Sequence, residues 1–282
     1  MILVDGSGII HRYHRAMEAN PKTTVDGVNV SATYGIAKYC LSLLDHRPAY
    51  MAVCLDSYGK KTFRHRLSPE YKANRSPMPD DMKRNVPFIH EVLTSLNIPV
   101  YVFEGYEADD IIGTVAQTGE KAGCKVFIVT IDKDLAQLIT PNISILSGRT
   151  GQDSMIIDEN EFELQNGFKP QQLVDYLALL GDKSDNIPGV NGIGKKRAGE
   201  LIRQFGTIEN IYNNMHLIAS AKVREALRVG RDQLELSKKL TQINRNVPVE
   251  FSLNEMVVSE IDMFEAMPVF RKYEIEYLIK NK

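Results

Sequence analysis

Apolar residues in the first half of the chain gather into short runs, with helical patterns between them. MILVD, YMAVCLD, PVYVFEG, KVFIVT and ISILSG read as strands. A helical stretch around Ser31 to Leu44, an amphipathic segment from about Asp80 to Leu96 and a helix opening at GYEADDIIGTVAQTGEKAG lie among them. This alternation predicts an α/β fold with a mostly parallel central sheet flanked by helices. A hairpin-like MIID follows ISILSG; from about Phe162 strand signals cease and the pattern turns helical. The expected organisation is an α/β core over 1–161 and a helical region over 162–282, with a weak helical pattern from Glu260 to Lys282.

Carboxylates recur where these runs end or a helix begins: Asp5, Asp56, Glu107, Asp109, Asp110, Asp132, Asp134, Asp182 and Asp185. An open α/β sheet binds ligands beyond the carboxyl ends of its strands, and so many acidic groups gathered there stay ionised together only beside cations. Hard divalent ions suit such oxygen ligands. For any one carboxylate, helix capping or a solvated strand end is the plainer account, and Asp134 in particular reads equally as a capping residue. The net charge of −2 changes meaning in this light: setting nine carboxylates aside from 36 acidic residues leaves 27 against 34 basic ones, a balance of +7. With its cations bound, the remaining surface is expected to be basic.

Two further segments point to phosphate. SYGKKTFRHRLSPEYKANRSPMPD, between Asp56 and Asp80, is too long for an ordinary βα connection. Phe63 and Tyr71 are interleaved in it with Lys60, Lys61, Arg64, Arg66, Lys72 and Arg75, a mixture suited to stacked bases and phosphates rather than a plain solvated insertion. Its Pro, Ser and Lys content predicts a mobile segment that orders on substrate. In GVNGIGKKRAGELIRQF, Gly189, Gly192 and Gly194 punctuate a turn leading into a helix that begins Lys195, Lys196, Arg197. Cations there oppose the helix dipole unless an anion is bound, so the turn is expected to press its backbone against a phosphate.

Cys40, Cys54 and Cys124 are widely spaced, which disfavours disulfides and zinc fingers. His11, His14 and His65 lie near basic segments without partners at ligand spacing and read as polar surface or DNA-edge residues. No basic stretch with an apolar core opens the chain and no run approaches the ~20 apolar residues of a membrane span, so a cytoplasmic protein is expected.

FRHRLSPEYKANRSPMPDDM, GYEADD, TIDKDLAQL and GDKSDNIPGVNGIGKKRA, in this order, resemble the 5′ nuclease family: the 5′-3′ exonuclease domain of bacterial DNA polymerase I and the free-standing phage flap endonucleases. The likeness runs from about Met1 to about Pro248. It implies a nuclease core with a helical arch at about 57–96 and a helix-three-turn-helix at about 174–215. Asp5, Asp56, Glu107, Asp109 and Asp110 look like the family's first carboxylate group, and Asp132, Asp134, Asp182 and Asp185 like its second. By the same resemblance Lys72 and Arg75 stand beside the scissile phosphate, Arg12 contacts substrate and Tyr71 stacks on a base. Two Mg2+ or Mn2+ ions, with K+ at the helix-three-turn-helix, are the implied cofactors. The implied partners are branched or 5′-flapped DNA and duplex ends, bound by a monomer without a membrane.

With nothing polymerase-like after residue 282, the chain reads as a separate nuclease, in the host cytoplasm if phage-encoded. The implied activity is structure-selective 5′-3′ exonuclease and 5′-flap endonuclease cleavage by two divalent ions roughly 3.5–4 Å apart. A PIN-type ribonuclease and a non-catalytic binder of branched DNA are the competing readings.

Overall fold

The sheet is built from strands that alternate between two apolar layers. In a computed structural model that describes residues 1–147 and 155–280, six strands order as β3-β2-β1-β4-β5-β6. They are β1 (Ile2–Asp5), β2 (Met51–Cys54), β3 (Val100–Tyr101), β4 (Val126–Thr130), β5 (Ile143–Ser147) and β6 (Ile156–Ile157). The first five run parallel and β6 pairs antiparallel with β5. β1 is buried throughout: Leu3 joins Ala52, Cys54 and Ile128 on one face, and Ile2 and Val4 join Met51, Val53 and Val129 on the other. Burial on both faces is what a parallel sheet covered by helices requires.

Among the described residues, twelve α-helices cover these faces and extend beyond them. In the core they are α1 (Gly6–Ala16), α2 (Ser31–Leu44), α3 (Phe63–Leu67), α4 (Asp80–Ser95) and α5 (Ala108–Lys121). Then follow α6 (Glu159–Asn166), α7 (Leu173–Leu180), α8 (Lys195–Phe205), α9 (Ile208–Asn213), α10 (Ala221–Val229), α11 (Arg231–Thr241) and α12 (Met263–Lys272). Gly148, which ends the strand-like ISILSG, and residues 281–282 of the terminal helical pattern lie outside the described residues.

Three features depart from the pattern read in the sequence. α1 follows β1 without a loop: Asp5 accepts from the Gly8 amide at 3.0 Å and caps the helix. Helix α12 does not belong with the helical region. Phe270, Ile275 and Ile279 are fully buried with Ile36, Ile89 and Leu93 of the core, because α4 leaves an apolar stripe that no earlier element covers. The basic segment packs back on the helical region: Tyr71 is buried and the Lys72 amide donates to the Asp185 carbonyl at 2.9 Å.

α1 and α2 cross so closely that a Cβ on Gly35 would lie 2.1 Å from Cγ of Tyr13. Glycine is the residue this crossing admits. Gly35→Ala is expected to lower the unfolding free energy by about 1–3 kcal/mol through overpacking. Urea denaturation measures it, and a change below about 0.5 kcal/mol, the level of an ordinary surface substitution, would refute the crossing.

Candidate active site

In the strand order, β1 runs outward through β2 and β3 on one side while β4 lies on its other flank, so the switch point falls between β1 and β4. There the loops after the strands part and leave a crevice at the carboxyl edge. A cleft of about 1170 Å3 opens there, lined by Asp5, Asp56, Glu107, Asp109, Asp132, Asp134, Asp182 and Asp185. Eight of the nine carboxylates singled out in the sequence therefore meet, from segments as distant as β1 and the loop after α7.

Each is positioned by local structure. Asp5 ends β1, caps α1 through one oxygen and accepts from the Thr130 hydroxyl at 2.8 Å through the other. A Cβ on Gly8 would lie 2.7 Å from Asp5, so glycine lets this carboxylate sit against the helix start. Asp56 accepts from the Ala108 amide at 2.8 Å, joining the end of β2 to the first turn of α5. Glu107 and Asp110 reciprocate across that turn, the Glu107 amide donating to Asp110 at 3.1 Å. Thr130 Oγ1 takes the Asp132 amide at 2.9 Å, and Asp132 in turn takes the Asp134 amide at 2.9 Å. Asp182 accepts the Ser184 amide at 2.6 Å within the turn that carries Asp185.

The cleft is electrostatically expensive as it stands. Burial, only partly relieved by the Gly8 and Thr130 bonds, together with the charges of Asp56 and Asp132, pushes the Asp5 carboxyl up to about 6. Burial and the charges of Asp5, Asp132, Glu107 and Asp56 raise Asp109 well above the usual carboxylate range. Burial with Asp132, Asp182 and Asp185 raises Asp134 to about 7. Glu107 goes the other way: burial would raise it, but Lys72 and Arg64 hold it low. Lys72 Nζ lies 2.6 Å from Glu107 and 3.8 Å from Asp185. Burial would lower its pKa, yet these two carboxylates keep it charged. Arg75 donates to Asp185, through Nε at 2.9 Å.

An all-oxygen, strongly acidic donor set of this kind fits hard divalent cations. Among the described residues, no three of these groups are already drawn around one point as a ligand shell. Lys72 occupies Glu107 and Arg75 occupies Asp185.

Four expected contacts are corrected by their surroundings. Asp110 is fully buried and turned from the cleft, its oxygens taken by Arg64 at 2.7 and 2.8 Å and by the Asn244 amide at 2.8 Å, so it is not placed to ligate a metal. Arg64 is 2% exposed and spends its guanidinium on that pair rather than on a phosphate. Tyr71 is 3% exposed, packs edge-on against His65 and donates its hydroxyl to Glu107 at 3.1 Å, which leaves no face for a base. Gly189 is buried, with its amide on Ser237 Oγ at 3.0 Å and its α-carbon against the backbone of Leu180 and Gly181.

Gly192 and Gly194 are exposed with open space where a Cβ would stand, and Lys195, Lys196 and Arg197 project from the first turn of α8. Lys60, 3.3 Å from Glu104, and Lys61 and Arg66 are exposed outside the cleft. Arg12 lines the cleft with His11 and Arg15, which the sequence reading set aside or missed. Their signal was present: Gly8, His11, Arg12 and Arg15 fall at i, i+3, i+4 and i+7, one face of a helix.

Family models match this architecture over residues 1–264. Residues 1–167 match the 5′-3′ exonuclease N-terminal resolvase-like domain, and residues 168–264 the 5′-3′ exonuclease C-terminal SAM fold. A 5′-3′ exonuclease of Aquifex aeolicus is 33% identical over 100% of this chain and 94% of its own length. DNA polymerase I of Bacillus caldotenax is 38% identical over 100% of this chain, which spans 32% of that protein. A structure of the T5 5′-exonuclease with bound zinc superposes with a TM-score of 0.73 over 86% of this chain and 89% of that one, at 22% identity, a likeness of fold. The chain belongs to the 5′-3′ exonuclease family.

Proposed function

We propose that the chain is a divalent-metal-dependent, structure-selective 5′ nuclease that trims 5′ ends and cuts 5′ flaps of DNA near the junction of single strand and duplex. The observation that carries this is the meeting of eight carboxylates with Lys72 and Arg75 in one cleft at the switch point of the sheet. Asp5, Asp56, Glu107 and Asp109 on one side and Asp132, Asp134, Asp182 and Asp185 on the other are the residues that would hold two ions, Mg2+ or Mn2+. Ions held there would supply an activated water and would offset charge on the transferring phosphoryl group and the leaving 3′ oxygen.

The chain's own groups do the rest. Lys72 and Arg75, relieved of Glu107 and Asp185 once those carboxylates are neutralised, are the cations placed to meet the phosphodiester. Arg12 and Arg15 extend positive charge along the α1 wall of the same cleft. Gly192, Gly194 and the first turn of α8 offer an exposed backbone with adjacent cations, suited to duplex phosphates and blind to sequence. On the strength of the resemblance we further take the chain to act as a cytoplasmic monomer with potassium at this turn.

Cleavage of an end-labelled 5′-flap duplex in Mg2+ tests the reading. The intact protein is expected to cut near the junction, Asp109→Asn to bind the substrate in Ca2+ without cutting, and Lys72→Ala to lose about 10²–10³ in kcat, as when one transition-state donor is removed. Binding without cleavage by the intact protein, or faster turnover of a matched RNA flap, would sink it.

The raised carboxyls add a pH test. A folded-state pKa above the unfolded value favours the protonated native state, so the stability contributed by Asp5 and Asp134 is present below about pH 4 and lost as pH rises through 6 to 7, and the raised Asp109 carboxyl acts in the same direction. Cations binding those groups remove this loss. The gain in Tm on replacing EDTA with saturating Mg2+ is therefore expected to grow between pH 5 and 7.5; a gain independent of pH would contradict it.

A further inference from the structure

Arg64 makes five polar contacts to two separate parts of the chain, the end of α11 and the start of α5. Nε donates to the Leu240 carbonyl at 2.9 Å and Nη2 to the Gln242 carbonyl at 3.0 Å, at the end of α11. Nη1 and Nη2 grip Asp110 at 2.7 and 2.8 Å, and Nη1 also reaches Glu107 Oε2 at 3.3 Å. A buried guanidinium is costly unless its donors are met, and here all three nitrogens are engaged. Carbonyls ending a helix lack intrahelical partners, and a cation there suits the dipole. The site therefore has the shape and charge of an arginine fork; an ammonium cannot reach both carbonyls and both Asp110 oxygens.

What this does to Glu107 follows from which oxygen each partner takes. Arg64 and the Tyr71 hydroxyl both address Oε2, from the protein side. Oε1 is left toward the cleft, where Lys72 finds it at 2.6 Å. The fork also fixes α3, the root of the basic segment, to α11. That helix carries Ser237, whose hydroxyl accepts the Gly189 amide beside the exposed glycine turn.

We propose that Arg64 is a positioning residue: it aims Glu107 Oε1 into the cleft and anchors the root of the Lys72–Arg75 segment to α11, the helix whose Ser237 holds the Gly189 amide beside the glycine turn. The role rests on the nuclease reading above. It assigns Asp110 a matching part, holding the fork rather than ligating metal.

A substitution of Arg64 alone strands Asp110 as a buried charge, so the informative variant removes both charges, Arg64→Met with Asp110→Leu. Its flap KM is expected within twofold of the intact protein. Its kcat is expected to fall at least tenfold, and its affinity for Mn2+, titrated calorimetrically without DNA, at least threefold. Arg64→Lys, which keeps the charge but not the fork, is expected to show the same tenfold loss in kcat with KM little changed. A folded double variant with unchanged kcat and Mn2+ affinity would overturn the proposal, as would an Arg64→Lys protein of full activity. Failure of the intact protein to cut the flap would strike the nuclease reading instead, and the Mn2+ titration would still decide whether Arg64 sets Glu107.

Discussion

Repulsion among Asp5, Asp56, Glu107, Asp109 and Asp132 must be offset before the carboxyl edge of the sheet can close, and the surrounding structure is arranged to offset it. Hydrogen-bond donors from helix starts and from Thr130 meet the outer oxygens. Cations from the segment after β2 meet two carboxylates, with Lys72 on Glu107 and Arg75 on Asp185. The offset is incomplete, which is why burial and neighbouring charge leave Asp5, Asp109 and Asp134 with raised pKa values while Glu107, between Lys72 and Arg64, stays low. A site poised in this way has an intrinsic demand for positive charge, whether that arrives as an ion or as a side chain.

Topology concentrates that demand. Parallel strands β1, β2 and β4 present their carboxyl ends on one edge, and the reversal of strand order between β1 and β4 opens the crevice there. The helical region then adds Asp182 and Asp185 from the loop after α7, so one cleft joins the two parts that separate family models match. Helix α11 is the strut between them: its end lies on Arg64, and Ser237 within it holds the turn after α7.

Much of this was legible in the sequence, because strand periodicity and acidic residues at run ends are local signals. The strands, the carboxylate cluster and the glycine turn can all be read from residues that are neighbours in the chain. The misread positions are those whose partners are remote. Arg64 sits among Lys61, Arg66 and Lys72 and looks like another phosphate contact, yet its partners lie 46 and 176 residues away at Asp110 and Leu240. Tyr71 reads as a stacking aromatic until Glu107 claims its hydroxyl. Gly189 sits in the same glycine pattern as Gly192 and Gly194, and burial against Gly181 is what separates it from them. Helix α1 went unread because it begins at once after β1, with Asp5 serving as both strand end and cap.

Helix α12 has a consequence for how the chain acquires this structure during synthesis. Phe270, Ile275 and Ile279 complete a layer whose other members, Ile36, Ile89 and Leu93, are made far earlier. Until residues 263–279 leave the ribosome, the outer face of α4 presents bare apolar surface. That surface is covered only when α12 and the residues after it dock, so the apolar layer over α4 is closed by contacts far apart in the chain.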